Sequence, residues 1–192
     1  MELSYEGLRN AIYLRNKQSA SGIIATIEFF PEEGKYHYDG HRKCGVYLTP
    51  TDAIAAWSGE MVCPVCNKTL TRGVMGRVME LADRPLGETN TKASMLANQR
   101  PFYSLIPLKE ILSELLGTGT ASKKVNLVYC DLIGKTGNEL NLLMNMSISN
   151  IEKLELNGIS SELLAQAIDR MRTRQVSITP GYDGEYGKIR VF

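Results

Sequence analysis

His41-Arg-Lys-Cys44 and Cys63-Pro-Val-Cys66 are the two stretches that decide the fold. Each places two metal-binding side chains with two residues between them, a spacing that lets a single turn present both ligands. The two pairs are separated by 18 residues, which is typical of zinc ribbons and related knuckles. Because four protein ligands leave no open position for water, His41, Cys44, Cys63 and Cys66 predict a structural Zn²⁺ site and not a catalytic one.

The other histidine and the other cysteine leave two alternatives open. His37 also precedes Cys44 in the same predicted hairpin, and only the two-residue spacing favours His41 over it. If His41 is the ligand, we expect His37 at the surface or facing DNA. Cys130 lies in the apolar segment 126–133 with no ligand type beside it, so we expect it to be a packed core thiol.

Composition restricts the class of protein. The chain has 192 residues, 43% of them hydrophobic and 22% charged, which excludes a disordered chain. A net charge of +1 argues against a uniformly basic nucleic-acid binder, so any nucleic-acid surface must be local. No run is apolar enough to span a bilayer and the first residues do not resemble a signal peptide, so we expect a cytoplasmic protein with no membrane partner. In a reducing compartment, cysteines two residues apart favour metal binding over disulfides.

Upstream of the metal motif, the sequence predicts one helix and one strand. Ser4 can cap a helix over Tyr5–Tyr13, and Gly22–Phe30 has the apolar pattern of a buried strand that ends at Pro31. From residue 32 to 70 the chain has few apolar runs, so the metal is expected to organise this region in place of a hydrophobic core.

Downstream, the pattern becomes mainly helical. We expect a helix over 74–82, a long loop over 83–103, and helices over 108–116, 122–133 and from Ser160 or Ser161 to residue 174. Pro107 and Gly117 mark the ends of the first of these three helices. Residues 175–179 and 188–191 alternate like two strands around a glycine-rich turn.

The sequence offers little for catalysis. It contains two histidines, no glycine-rich phosphate loop and no Ser-His-Asp set. Asp39, Asp83 and Asp183 lie in loops with Gly or Pro nearby, where each is equally explained as a turn residue. We therefore predict no catalytic residue in this chain.

Charge is unevenly distributed along the sequence. Residues 68–128 contain nine Lys or Arg against five Asp or Glu, and residues 129–168 contain two against five. The basic part includes Lys92, Arg100, Lys123 and Lys124, and 117–120 is a Gly-Thr-Gly-Thr stretch that could meet a phosphate. On composition alone, a solvated charged face explains these residues at least as well as DNA contacts.

Two tyrosines and three arginines extend the possible nucleic-acid face. Tyr182 and Tyr186 lie in the glycine-rich turn, where their rings could stack on a base, although an ordinary tyrosine-bearing turn is an equal explanation. Arg170, Arg172 and Arg174 continue the basic pattern on the last predicted helix.

Four separated segments of the sequence resemble segments of one known family. Residues 27–44, Cys63-Pro-Val-Cys66, Glu80-Leu-Ala-Asp-Arg-Pro85 and Pro180-Gly-Tyr-Asp-Gly-Glu-Tyr-Gly-Lys-Ile189 resemble, in order, the endonuclease Q family, whose members are also described as PHP-domain or helicase-related proteins. In that family a PHP domain, a metal-dependent phosphoesterase barrel, precedes a zinc-binding region and a helical region. The enzyme cleaves DNA on the 5′ side of deaminated bases such as uracil and hypoxanthine.

The resemblance implies a partial match to that architecture. The His and Asp/Glu ligands of the PHP metals have no counterparts in this sequence, so 1–31 is expected to be the end of a PHP-like barrel. We expect an α+β chain in which 32–82 is a zinc ribbon-like module, 83–106 a long loop, and 107–192 a helical module with a C-terminal β-hairpin. The zinc ligands carry over to the two motif pairs, and the loops flanking them are expected to grip DNA.

The resulting functional hypothesis is recognition of DNA that contains deaminated bases, as one part of an endonuclease Q-like PHP nuclease whose catalytic half is elsewhere, encoded with this chain or separately. One alternative is a protein-interaction module that docks onto a separate PHP subunit or a replication factor. Another is an intact nuclease that uses carboxylates in an unrecognised arrangement.

Overall fold

The structure is a computed structural model that describes residues 4–13, 23–52, 61–83 and 101–192. Within these ranges it is an α+β chain of short helices and two-stranded sheets, as the sequence predicts. It divides into two compact units, residues 1–28 with 86–103 and residues 29–85 with 104–192. Among the described helices, none has the length and apolar character needed to cross a membrane.

In the described residues of the smaller unit lie one helix and most of one short sheet, which ends at Ser104. Helix α1 spans Tyr5–Tyr13, and the Ser4 hydroxyl accepts a hydrogen bond from the Gly7 N–H at 3.1 Å, which confirms the predicted cap. Strand β1 spans only Thr26–Glu28, is exposed, and pairs with β4, Phe102–Ser104. The prediction of a long buried strand was therefore wrong, and β4 occupies part of the segment expected to be a loop.

The helical module forms the hydrophobic core of the larger unit. Helices α3 (Leu108–Leu116), α4 (Lys123–Thr136), α5 (Ile148–Glu152) and α6 (Ser161–Arg172) pack mainly in pairs, α3 with α4 and α5 with α6. Their contact faces carry the fully buried side chains Ile111, Leu112, Val125, Leu132, Ile151, Leu164 and Ile168. Burial of these apolar faces, more than local propensity, holds the short helices in place.

The face that α4 buries overturns the expectation for Cys130. Val125, Val128 and Leu132 are the buried hydrophobic residues of the helix, at the spacing of a single helical face. Cys130 falls on the opposite side and is exposed. It is therefore not a core thiol, although the surrounding sequence is apolar.

The predicted helix signals mostly hold. Gly117 ends α3 in the left-handed region with φ of 61°, and the Ser122 hydroxyl caps α4 by accepting from the Val125 N–H at 3.2 Å. Helix α4 continues to Thr136, three residues beyond the predicted end at Ile133.

A stability prediction follows from the cap of α6. The Ser160 hydroxyl accepts a hydrogen bond from the Leu163 N–H at 3.1 Å. We expect Ser160→Ala to lower the free energy of unfolding by about 1 kcal/mol, because that N–H loses its acceptor at a helix end. Urea unfolding followed by circular dichroism measures the change. Ser160→Asp, which preserves an acceptor, should stay within about 0.5 kcal/mol of the parent, and equal losses in both variants would contradict the cap.

A π-helical turn that the sequence did not predict joins α4 to α5. It spans Asn141–Asn145, and the Arg172 guanidinium from α6 donates to three backbone carbonyls there. Those carbonyls belong to Leu142 at 2.8 Å, Leu143 at 2.8 Å and Met146 at 2.7 Å. Arg172 therefore holds the turn against α6. Its guanidinium is used in these structural hydrogen bonds, contrary to the expectation that it belongs to a nucleic-acid face.

The chain continues past α6 into a β-hairpin, as predicted. Strand β5 (Ser177–Thr179) pairs antiparallel with β6 (Lys188–Arg190), and Ile178 lies opposite Ile189. Beyond β6, the backbone N–H groups of Val191 and Phe192 donate to the Glu114 carboxylate on α3, at 3.0 and 2.9 Å. These bonds fix the hairpin beside the end of α3.

Candidate metal centre and nucleic-acid interface

A tight hairpin presents the first pair of candidate ligands. Strand β2 spans Asp39–His41, a 3₁₀ turn spans Arg42–Cys44, and β3 spans Val46–Leu48. Gly45 follows the turn with φ of 65°, a conformation that glycine adopts without strain, and β2 then pairs antiparallel with β3. The reversal brings His41 and Cys44 to the same end of the hairpin.

The second pair lies on a turn of similar size. The Cys63 carbonyl accepts from the Asn67 N–H at 2.8 Å, and the Cys63 N–H donates to the Lys68 carbonyl at 2.7 Å. Gly40 and Thr71 exchange backbone hydrogen bonds at 2.9 and 2.8 Å, so this turn is joined directly to β2. Backbone pairing thus brings the two motifs together without a hydrophobic core.

The four side chains form one cluster. The ligand atoms of His41, Cys44, Cys63 and Cys66 all lie within 4.8 Å of one another, and His41 Nδ1 is 3.4 Å from Cys66 Sγ. Among the described residues, this is the group of His, Cys, Asp or Glu that is close enough to hold a metal ion. One imidazole and three thiols at these separations fit a tetrahedral ion of the Cys₃His type.

The thiols differ in their protonation. Burial raises the pKa of Cys63, but hydrogen bonds from the Val65 and Cys66 N–H groups outweigh it, and the pKa falls to about 6. Burial and the adjacent thiols of Cys66 and Cys63 raise the pKa of Cys44 to about 11. Since a bound divalent ion needs thiolates, metal binding should release protons and weaken as the pH falls.

His37 is not part of this cluster. Its side chain is buried, with its ring centroid 4.7 Å from that of Tyr38, and burial lowers its pKa. The expectation that His37 lies at the surface or faces DNA was therefore wrong. Its carbonyl accepts from the Met75 N–H at 2.9 Å and so caps the start of helix α2, Val74–Leu81.

Asp39 also serves α2. Its buried carboxylate accepts a hydrogen bond from the Gly73 N–H, the residue before the helix. A Cβ on Gly76 would lie 2.3 Å from the Asp39 Oδ2, so the approach of helix and carboxylate requires glycine. A negative charge at a helix N-terminus is favourable, and Asp39 thus connects α2 to the hairpin of β2 and β3, which we call the metal hairpin. The reading of Asp39 as a turn residue missed this contact.

The glycine-rich turn 180–187 holds the metal hairpin from the other side. Asp183 has φ of 45° and accepts hydrogen bonds from the Arg42 N–H at 2.6 Å and from the Thr71 hydroxyl. The Gly181 carbonyl accepts from the Tyr38 N–H at 3.0 Å. Asp183 therefore joins Arg42, inside the first motif, to Thr71, five residues after the second motif, a long-range role that its turn-like sequence does not reveal.

We predict that Asp183→Asn destabilises this region by about 1 kcal/mol at pH 7, because the amide replaces one charged acceptor. The hydrogen bonds from Thr71 and the Arg42 N–H hold the pKa of Asp183 below its ordinary 3.8. This stabilisation is therefore present above pH 3.8 and lost as the pH falls through the folded-state pKa. Urea midpoints of parent and variant should differ at pH 7 and converge in acid. Asp131→Asn, at a surface ion pair, is the matched control, and an equal shift there would contradict the prediction.

The residues predicted to contact DNA differ in their exposure. Lys92 and Arg100 lie outside the described residues. Lys123 and Lys124 are exposed in the first turn of α4. Tyr186 is 68% exposed, whereas the Tyr182 ring packs 5.2 Å from that of Tyr47 and against Gly40. Of the two tyrosines, Tyr186 has the ring that is accessible to a base.

Cations that the sequence analysis did not select surround the metal cluster. Arg42 and Lys43 occupy the positions between His41 and Cys44, and Lys68 follows Cys66 closely; all three cations are exposed. The sequence could have indicated a local basic surface here, because Arg42 and Lys43 lie between two candidate ligands. Ligands that fix the backbone also fix the position of the residues between them.

Comparison with known proteins gives relatives over nearly the whole chain. The family model described as the MJ0043 C-terminal domain matches residues 107–175. The uncharacterized protein MJ0043 of Methanocaldococcus jannaschii is 33% identical over 190 residues, which are 98% of this chain and 21% of that protein.

Two solved structures are also similar. The lesion-specific endonuclease PfuEndoQ from Pyrococcus furiosus has a TM-score of 0.75 at 29% identity, covering 98% of this chain and 42% of that one. Endonuclease Q in complex with a 27-mer duplex substrate that has an abasic lesion at the active site has a TM-score of 0.71 at 30% identity, covering 99% of this chain and 43% of that one. The chain thus spans less than half the length of these relatives, and the resemblance predicted from its motifs is confirmed.

Proposed function

We propose that this endonuclease Q-like chain recognises damage in DNA, as one part of a PHP-type nuclease that cleaves on the 5′ side of a deaminated base. The observation that carries the proposal is the similarity to two endonuclease Q structures over 98% and 99% of the chain. The PHP metal ligands lie outside this chain in the proposal, in the same polypeptide or a separate subunit.

The metal in the proposal is Zn²⁺ bound by His41, Cys44, Cys63 and Cys66. Zinc would supply a fixed cross-link between the two turns, since the four ligands complete its tetrahedral coordination. Contacts within the chain would position the two turns. Backbone pairing of Gly40 with Thr71 and the Asp183 bridge set the orientation of the cluster before any DNA arrives.

DNA would be gripped through phosphates and an unpaired base. Arg42, Lys43 and Lys68 beside the metal, and Lys123 and Lys124 on α4, are exposed cations that can neutralise phosphates. Lys92 and Arg100 belong to the same proposal. A deaminated mispair makes extrusion of a base less costly, and an exposed ring such as that of Tyr186 can stack on an unstacked base, with Tyr182 supporting the turn.

Binding to duplexes that differ by one uracil or hypoxanthine tests the proposal. Fluorescence anisotropy with the zinc-loaded chain should show tighter binding to the lesion duplexes and affinity that falls steeply with salt, with no nicking by this chain. Equal affinity for damaged and undamaged duplexes would reject damage recognition. Lesion-dependent, metal-dependent nicking by the purified chain would overturn the placement of catalysis outside it.

The lysines of α4 give a quantitative prediction. Each phosphate contact contributes about −0.9 to the slope of log affinity against log salt concentration. We expect the double variant Lys123→Gln/Lys124→Gln to reduce the magnitude of this slope by about 2. Lys153→Gln, an exposed lysine after α5, is the control and should leave the slope unchanged. An unchanged slope in the double variant would remove α4 from the interface.

A second candidate function is docking onto a separate PHP subunit or a replication factor. The specific observation is the apolar side of α1, where Leu8 is 54% and Ile12 63% exposed at helical spacing. Co-purification of a partner that is lost in Leu8→Asp/Ile12→Asp, with DNA affinity unchanged, would favour docking over DNA recognition.

A further inference from the structure

We infer that an exposed surface formed by Lys35, Tyr36, Arg42 and Tyr186 binds an unpaired DNA strand, with or without a lesion. We call these four residues the stacking platform. The inference goes beyond the proposed function, because that function recognises a damaged duplex and this surface needs only bases that are not paired. It rests on the proposed function for DNA as the class of polymer.

Backbone hydrogen bonds join the stacking platform to the glycine-rich turn. The Lys35 carbonyl accepts from the Gly184 N–H at 2.8 Å, in the same turn that carries Tyr186. The Arg42 N–H donates to the Asp183 carboxylate of that turn at 2.6 Å. Because these bonds are made within the chain, the platform is positioned before any ligand arrives, and binding requires little ordering of the protein.

Two aromatic rings of the platform contact one ammonium group and remain accessible. The Lys35 ammonium lies 5.5 Å from the centroid of the Tyr36 ring and 5.8 Å from that of the Tyr186 ring. Tyr36 is 44% exposed and Tyr186 is 68% exposed. An ammonium over one face of a ring leaves the other face for a base, and stacking of this kind accepts any base. Two such rings around one cation suit successive bases of a single strand, whereas the bases of a duplex stack on one another.

The charges beside the rings favour a polyanion. Arg42 Nη1 lies 3.9 Å, and Tyr36 Oη 3.7 Å, from the position that a Cβ on Gly184 would take, so both side chains border the same exposed backbone. Within the part of the chain that the structure describes, no carboxylate forms an ion pair with the side chain of Lys35 or Arg42. The two cations and the two rings therefore match the phosphates and the bases of a strand.

One carboxylate of the turn opposes this partner and gives the charge argument a test of its own. Glu185 lies between Gly184 and Tyr186 and is exposed. Its negative charge should repel a phosphate that binds at the platform. Neutralising Glu185 should therefore strengthen binding of a strand, whereas neutralising Lys35 should weaken it.

A ten-nucleotide oligothymidylate tests the inference, because it carries neither a lesion nor a paired base. It is titrated with the full zinc-loaded chain by fluorescence anisotropy, beside an undamaged duplex of ten base pairs. We expect the single strand to bind about fivefold more tightly than the duplex or better, since only the single strand offers the faces of its bases.

Loss of either ring should weaken binding of the oligothymidylate. We expect Tyr36→Ala and Tyr186→Ala each to reduce the affinity by about fivefold or more, the lower end of the effect of removing one stacking ring. Tyr36→Phe and Tyr186→Phe preserve the ring and should stay within about twofold of the parent. Tyr13→Ala is the matched control, because Tyr13 is 76% exposed and the Arg9 guanidinium lies 5.7 Å from its ring centroid, but on α1. It should leave the affinity unchanged.

The charged residues should give effects of opposite sign. Lys35→Gln should reduce the magnitude of the slope of log affinity against log salt concentration by about 0.7, the contribution of one phosphate contact on a single strand. Glu185→Gln should strengthen binding of the oligothymidylate by about twofold, the size of one exposed charge interaction.

The outcomes separate this inference from the proposed function. Equal affinity of the parent and both alanine variants, an equal loss in Tyr13→Ala, or no binding of the oligothymidylate overturns the stacking platform, even if lesion duplexes still bind. Ring-dependent binding of the oligothymidylate supports the platform, even if the chain does not distinguish damaged from undamaged duplexes and the proposed function fails. Thermal melts establish that each variant is folded, and the phenylalanine variants separate loss of a ring from loss of structure.

Discussion

Cys63→Ser is expected to abolish stable metal binding, with a loss of affinity of at least about 100-fold. Cys63 is the fully buried member of the cluster, and backbone hydrogen bonds from Val65 and Cys66 lower its pKa to about 6, which favours the thiolate that a metal needs. Structural zinc sites supply about 10 to 16 kcal/mol of apparent binding free energy, and we expect a contribution of this kind to matter in a region with few apolar residues. The variant should lose its order around the hairpin while the helical module stays folded.

Metal content per chain, measured by elemental analysis after dialysis, is the direct readout. Cys130→Ser is the matched control, since Cys130 is exposed on α4 and outside the cluster, and it should retain one ion per chain. Full metal content in Cys63→Ser would contradict the assignment. His41→Gln and His37→Gln decide the histidine ligand: the first should lose the metal and the second should keep it.

Arg172→Met is expected to lower the free energy of unfolding by about 2 to 4 kcal/mol. The guanidinium donates three charge-assisted hydrogen bonds to backbone carbonyls of the π-helical turn, and methionine removes all of them while preserving most of the apolar stem. Burial lowers the pKa of Arg172, but the group remains charged at any ordinary pH.

Urea unfolding followed by circular dichroism measures the effect on the helical module. Arg172→Lys should recover only part of the loss, because a single ammonium cannot reach three carbonyls in a fixed fork. Lys153→Met, at an exposed lysine, should change stability by less than about 0.5 kcal/mol. A loss of similar size in Lys153→Met, or none in Arg172→Met, would show that the three bonds contribute little.

The elements that sequence predicted well carry their signals locally. Ser122 and Gly117 fix helix ends through atoms within a few residues. The spacing of the two candidate ligand pairs is likewise local, because each pair lies on a single turn, and the structure brings their four side chains into one cluster. Among the described residues, the backbone pairing of Gly40 with Thr71 is one contact that brings them together.

The features that sequence missed depend on distant partners. Nothing near Asp183 indicates that it bonds to Arg42 and Thr71, and nothing near Arg172 indicates three carbonyls on a turn 26 to 30 residues earlier. His37 is buried because α2 packs its start against the hairpin. Cys130 is exposed because it lies on the side of α4 opposite Val125, Val128 and Leu132. The apolar residues around it in the sequence do not indicate which side of the helix it occupies.

The contact between Arg42 and Asp183 joins residues 141 positions apart and has a consequence for how the chain is made. A ribosome adds about 5 to 20 residues per second, so the hairpin emerges about 7 to 28 seconds before the turn that bonds to it. During that interval the hairpin lacks the hydrogen bond to Asp183, and Cys44 is accessible to metal ions and to oxidants. Because the long-range contact can form only after residue 183 has emerged, we expect the hairpin to meet any metal before the Asp183 bridge closes.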